Sequence, residues 1–347
     1  MKNIPINLTI ILTILLGNIY TIQTIAQEQY DLNENKFVLI PLGVTGSVDE
    51  SNLTAYLLSS MNSTKFICLD AGTLWTGLKA ATKANSFVGI SRPKGSNLTL
   101  ESLVLREHIK AYLISHAHID RIAGLIVNSS IDTKKSIFGL NRTIDDIKNH
   151  LFNWHIWPNV GDSGVSPYLS KYYYVTLPPK KRVHIPSTDM YVQAFPLKHG
   201  QFFESTAFLI QAGNHYALYI GDTEPDEKEA ETPLKNLWDK IAPLIKKHSL
   251  RGIFIEVSRP DEQSDKKVEG LLTPSQVMDA LQQLARLVNA ENIEFTLQGL
   301  TVIITNSQPP VLTRETPQNE QIKTQLELLN NLGIRFVFPV QGQRLEF

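Results

Sequence analysis

All nine histidines of the chain fall between His108 and His248, and two of them stand in the string Leu113-Ile114-Ser115-His116-Ala117-His118-Ile119-Asp120-Arg121, directly after an apolar run. Imidazoles at i and i+2 can point the same way and share one borderline-soft cation, and a carboxylate two residues on can take a second ion or hold a water. A bare His-x-His has many structural explanations. The whole string His116-x-His118-x-Asp120 at a strand end is far more specific, because α/β proteins place their ligands beyond the carboxyl ends of strands. Two further pieces have the form to complete such a centre. His199, in Phe195-Pro196-Leu197-Lys198-His199-Gly200, sits at another strand end, and Asp222, in Gly221-Asp222-Thr223, follows a third. A third neutral imidazole fills a tetrahedral cation, and one carboxylate can bridge two ions. His199 taken alone reads equally as a loop histidine bonded to backbone. The combination favours a ligand.

The elements that must position these side chains alternate along the chain. Short apolar runs bounded by Gly, Asp or Pro predict strands at 37–44, 66–69, 111–115, 172–177, 191–195, 207–210, 216–220, 252–257, 302–305 and 334–339. Helical patterns occupy 143–152, 233–248, 273–288 and 318–332. Strands with helices between them predict an α/β fold. The runs on either side of Ala212-Gly213-Asn214-His215 form a hairpin, so the sheet is expected to be mixed. Residues 158–170, rich in Gly, Ser and Pro, read as a long surface loop.

Composition narrows the partners. With 33 Lys+Arg against 34 Asp+Glu and 42% hydrophobic residues in 347, the chain has the make-up of a globular protein with no global field to hold a nucleic-acid polymer. Its single Cys, Cys68, excludes an intramolecular disulfide framework and any Cys-based zinc knuckle, so a metal here must use His and carboxylates. Residues 1–26 read as a cleavable secretory signal: one Lys, no acid, an apolar run near Leu8 to Leu16, and Thr24-Ile25-Ala26 at the end. That run is too short for a membrane span, which needs roughly 20 residues. The expectation is an exported protein, periplasmic or secreted, with no membrane anchor after cleavage. Asn-x-Ser/Thr sequons at Asn52, Asn62, Asn97, Asn128 and Asn141 would be glycosylated only in a eukaryotic pathway and otherwise read as chance.

These pieces together resemble the class II 3′,5′-cyclic-nucleotide phosphodiesterases, a branch of the metallo-β-lactamase fold. Leu69-Asp70-Ala71-Gly72-Thr73 is similar to an early family turn, and His116 through Ser129 follows the family's His-x-His-Leu-Asp-His signature with its aliphatic, Gly, aliphatic and Ser continuation. His150-Leu151-Phe152-Asn153 with Ile156-Trp157-Pro158-Asn159 resembles a segment of this family alone. Later blocks, including Ser205 to Ile210 and Ile255-Glu256-Val257-Ser258, follow in the same order. The resemblance implies a four-layer αββα sandwich with mixed sheets, a single catalytic domain over 27–347, and hydrolysis of cyclic AMP or cyclic GMP to 5′-nucleotides. It also implies that His116, His118, His199 and Asp222 hold one metal, that Asp120 and Asp222 remain of a second, that Asp70 supports the site from behind, and that His150, Trp157 and Asn159 contact the substrate.

Two positions depart from the family. Arg121 stands where the family has His, and Gly270-Leu271-Leu272-Thr273-Pro274 stands where it has Gly-His-Leu-Thr-Pro. Both are second-metal ligands in the family. Arg stays protonated and Leu has no donor, so one ion, zinc or alternatively manganese, is expected rather than two. The first reading is then a one-metal hydrolase in which Asp120 orients or deprotonates the attacking water. Arg121 either supplies part of the missing positive charge or acts as a structural clamp. The second is a weakly active or inactive relative that binds a nucleotide or other ligand in the old cleft. Another substrate class, such as a lactone or β-lactam, stays open at this stage. His150 also reads as a structural helix histidine, and Trp75 or Trp157 could stack a base or simply pack.

Overall fold

Strands buried along their whole length must be covered on both faces, and the chain meets this requirement with two sheets laid face to face and helices outside each. The computed structural model describes residues 36–46, 48–226, 232–263, 271–307 and 318–347, so the expected leader at 1–26 and Gly270 lie outside the described residues. The described part groups as one unit, Lys36–Phe347.

The first sheet contains β1 (Phe37–Gly43), β2 (Ala55–Ser60), β3 (Phe66–Leu69), β4 (Ile109–Leu113), β5 (Lys135–Gly139) and β6 (Tyr172–Thr176), joined at its edge by β14 (Leu345–Glu346), in the order β14-β1-β2-β3-β4-β5-β6. The second contains β7 (Val183–His184), β8 (Met190–His199), β9 (Phe203–Ala212), β10 (His215–Ile220), β11 (Leu250–Glu256), β12 (Thr301–Thr305) and β13 (Arg335–Val337), in the order β13-β12-β11-β10-β9-β8-β7. Each sheet is half antiparallel and half parallel: β14 to β3 and β7 to β10 pair antiparallel, β3 to β6 and β10 to β13 parallel. The expected mixed pairing is present, and β9 and β10 form the hairpin expected around Gly213, whose φ of 57° suits a tight turn.

Three apolar layers separate the four structural ones. Between the sheets, Leu39, Leu58 and Leu113 meet Val192, Ile210 and Phe254. Outside the first sheet, Ile40, Leu57, Cys68 and Tyr112 are covered by α1 (Trp75–Lys83), α2 (Ile119–Asn128) and α3 (Asn141–Asp146), the last continuing as a wider helical turn over Ile147–Leu151. Outside the second, Leu209, Leu218, Ile253 and Val302 are covered by α4 (Pro233–Lys246), α5 (Pro274–Val288) and α6 (Gln318–Leu329). This is the αββα sandwich that the sequence resemblance implies. No helix among the described residues is long and apolar enough to cross a membrane.

Candidate metal centre

The carboxyl ends of strands from both sheets converge at one edge of the sandwich. Beyond β4 the chain passes through Ser115 and His116 to His118, which forms the N-terminal boundary of α2 and puts Asp120 and Arg121 in that helix's first turn. His199 is the last residue of β8, and Asp222 stands two residues past the end of β10. Two glycines allow the close approach this needs. A Cβ on Gly72 would collide with the carbonyl oxygen of Asp120, and one on Gly124 would lie 2.8 Å from the Leu74 nitrogen and 2.9 Å from the Ala71 oxygen. The turn after β3 and the helix α2 therefore pack backbone to backbone, with Gly124 N–H donating to the Gly72 oxygen at 2.7 Å.

Three imidazoles come together there. His116, His118 and His199 each bring one ring nitrogen to a position within 4.8 Å of the others. His116 Nε2 and His118 Nδ1 face each other at 3.0 Å. Burial holds the His116 pKa well below its ordinary value against the opposing Asp222 carboxylate, and burial followed by the neighbouring His199 lowers that of His118. Both are therefore neutral imidazoles, the form that ligates a metal. A chain of hydrogen bonds fixes the His116 ring. Asp70, held at φ 51° after β3, accepts from Ser115 N–H at 2.7 Å, from Ser115 Oγ at 2.8 Å and from Tyr219 OH at 2.5 Å. Because the Ser115 hydroxyl proton goes to Asp70, Ser115 Oγ acts as acceptor toward His116 Nδ1 at 3.0 Å, which leaves Nε2 with its lone pair facing the cluster. Burial raises the Asp70 carboxyl to about 6, less far than it would without the opposing Arg121 charge and these bonds.

Asp222 divides its two oxygens. Oδ2 lies 3.7 Å from His116 Nε2 and 4.0 Å from His199 Nε2. Oδ1 is bonded to a guanidinium nitrogen of Arg121 and accepts from Asn306 Nδ2 at 3.1 Å. Arg121 is 1% exposed, and its Nε lies 3.8 Å from Asp120 Oδ2. Burial alone would raise the Asp222 carboxyl, but Arg121 and then the two histidines outweigh it and hold it at about 2. The guanidinium thus sits against Asp120 and Asp222, the two carboxylates left of the second metal site that the resemblance implies. Leu271 lies in the segment before α5.

The remaining expected residues are placed differently from one another. His150 lines a cavity that opens on His116 and His118. Trp157 and Asn159 are not among the residues that line it. Asn159 is fully buried with its amide donating to the Ser163 and Val165 oxygens and accepting from Gly161 N–H, so its polar atoms are used up in shaping the loop at 158–170. Trp157 packs against the outer apolar layer of the first sheet and donates its indole N–H to Ser129 Oγ at 2.9 Å. Asn306 was not anticipated as a partner of Asp222, although it follows a buried strand just as Asp222 does. Ser115, Tyr219 and Glu256 were missed as supports as well. Glu256, at the end of β11, is buried and kept well above the usual carboxylate range by burial and then by Asp222, and accepts from Thr223 N–H at 3.0 Å.

The family model for cAMP phosphodiesterases class-II matches residues 33–342. A 3′,5′-cyclic-nucleotide phosphodiesterase of Aliivibrio fischeri is 38% identical over 320 residues, 92% of this chain and 95% of that protein. The crystal structure of unliganded yeast PDE1 superposes with a TM-score of 0.74 at 23% identity, covering 90% of this chain and all of the other. The metallo-β-lactamase fold protein YhfI from Bacillus subtilis superposes with a TM-score of 0.57 at 12% identity over 90% of this chain and all of that one, a likeness of fold alone. The chain belongs to the class-II cAMP phosphodiesterase family.

Proposed function

We propose that this protein hydrolyses 3′,5′-cyclic nucleotides, cyclic AMP and cyclic GMP, to 5′-nucleotides, and that it does so with one divalent ion held by His116, His118, His199 and Asp222. Three imidazoles and a carboxylate oxygen suit zinc, with manganese as the alternative. The observation that carries the one-ion reading is the division of Asp222: one oxygen faces the histidines, while the other is committed to Arg121 and Asn306. When bound, the ion supplies Lewis acidity that neutralises phosphoryl charge and makes water acidic enough to attack at neutral pH.

The chain's own groups do the rest. Asp120, beside Arg121 at the entrance to α2, is the group that orients the attacking water and takes its proton. The water oxygen bonds to phosphorus, the bond from phosphorus to the 3′ oxygen breaks, and that oxygen leaves with a proton. Arg121 keeps a fixed positive charge against Asp222, which both clamps the ligand and offsets the charge that a second cation would have balanced.

The test is cyclic AMP turnover by the purified protein with added zinc or manganese, with metal content measured on the same sample. Metal-dependent 5′-AMP formation, lost in His118→Ala, with one equivalent of metal per chain is the expected result. Two equivalents would overturn the one-ion reading, and no 5′-AMP above the His118→Ala control would overturn hydrolysis and leave a nucleotide-binding relative.

A further inference from the structure

The cavity that opens on His116 and His118 has a volume of about 250 Å³ and walls of distinct character. One wall is a helix face. Arg142, Asp146 and His150, four residues apart, project from the continuous helical segment that begins at α3, with Arg142 Nε 3.3 Å from Asp146 Oδ2. Another wall is the start of β9, Phe203 and Glu204.

The β8–β9 hairpin fixes where Phe203 stands. His199 pairs directly with Phe203 across the hairpin, with Gly200 at φ 64° in the turn between them, so the two side chains share one face of the sheet. The Phe203 ring consequently lies 4.4 Å from the His118 ring, at 72°, and 6.0 Å from that of His199. Yet the residue is 49% exposed. A large apolar ring packed against two candidate ligand histidines, lining the cavity and half exposed, is a surface that a flat, weakly hydrated group would cover favourably.

We propose that Phe203 is the platform on which the nucleobase of the substrate stacks, with the phosphate at the histidines and the polar rim of Arg142 and Glu204 facing the base edge. This rests on the phosphodiesterase reading given above and adds the part of the site that distinguishes a nucleotide from a bare phosphodiester. A ring that only sealed His118 from water would be replaceable by any apolar side chain of similar bulk. A stacking platform needs an aromatic face, because base and ring associate through their π surfaces.

The experiment is equilibrium binding of 5′-AMP and of ribose 5-phosphate to the metal-loaded protein and to Phe203→Leu and Phe203→Trp. Expected is a roughly tenfold loss of 5′-AMP affinity in Phe203→Leu, about 1.4 kcal/mol, with ribose 5-phosphate changed less than about twofold and Phe203→Trp restoring 5′-AMP binding. Metal content should be equal in all three. Wild-type 5′-AMP affinity in Phe203→Leu, or equal weakening of both ligands together with metal loss, would overturn the platform while leaving cyclic AMP turnover by the wild type intact. Absence of both turnover and 5′-AMP binding in the wild type would overturn the phosphodiesterase reading and this subsite together.

Discussion

A guanidinium that is 1% exposed has only its protein neighbours to balance its charge, and for Arg121 these are Asp222 and, 3.8 Å from its Nε, Asp120. Removing one partner of a buried ion pair costs far more than the pair is worth, because the other charge stays desolvated: about 3–5 kcal/mol in typical cases. Arg121→Met keeps much of the volume and removes the charge, so the metal-free variant is expected to lose about that much stability in urea denaturation. A loss under about 1 kcal/mol would show that water reaches Asp222 and that the pair is not sealed as described. At this scale the sequence was informative where a residue's type limits its chemistry. His116, His118, His199 and Asp222 could be read because each follows an apolar run, and Arg121 because it cannot ligate. Asn306 could not be read, since an asparagine after a strand serves a turn as readily as a carboxylate and only the fold brings it to Asp222. At Asn159 and Trp157 a family-like segment leaves open whether a side chain turns toward the cavity or into its own loop and the outer core, where their hydrogen bonds lie.

The element that carries most of the site is α2, which begins at His118, holds Asp120 and Arg121 in its first turn, and is seated by Gly124 against the backbone of the turn after β3. In an exposed helix, replacing Gly by Ala would stabilise by up to about 1 kcal/mol through propensity. Here the added methyl would meet three backbone atoms at 2.8–2.9 Å, none of which can swing aside. Overpacking of this kind costs about 1–3 kcal/mol, so the clash outweighs the propensity gain. Gly124→Ala is expected to be less stable in denaturant titration and to bind metal more weakly, because the helix that relieves the clash takes His118 with it. Equal stability with unchanged metal affinity would mean that the helix moves without its N-terminus. Most elements were legible from period and punctuation, including the hairpin at Gly213 and the helices α4, α5 and α6. Four strands were not, nor were the helices α1 and α2; β7 and β14 are edges of two residues each, and the other two strands are β5 and β2. β5 opens with Lys135, a buried lysine bonded to Asp132, so its run looks polar, and β2 closes on Ser59 and Ser60, whose hydroxyls break the apolar run although both are buried. The helix expected at 143–152 starts at Asn141, and its last turn is wider, a distinction that side-chain spacing does not encode.

At the scale of the molecule, the candidate ligands belong to different sheets. His116 and His118 extend from β4 of the first, while His199 and Asp222 extend from β8 and β10 of the second. The sheets are otherwise joined through the apolar layer between them and through contacts such as Tyr219 OH to Asp70, which also crosses from one sheet to the other at this edge. An ion bound by all four residues would therefore tie the two halves of the sandwich together at the edge where the strands end. Any ligand that binds only the native state stabilises it by RT ln(1 + [L]/Kd), about 2.7 kcal/mol at a hundredfold excess over Kd. In a unit of this size a few kcal/mol moves the melting temperature by several degrees. The melting temperature of the wild type should therefore rise with added zinc and fall on chelation. In His199→Ala, which removes the second sheet's imidazole and leaves His116 and His118 in place, the response to zinc should be largely lost. The same rise in His199→Ala as in the wild type would mean that zinc is held by the β4 loop alone and that the two sheets are not bridged by it, a result that would also remove His199 from the ligand set on which the one-ion chemistry depends.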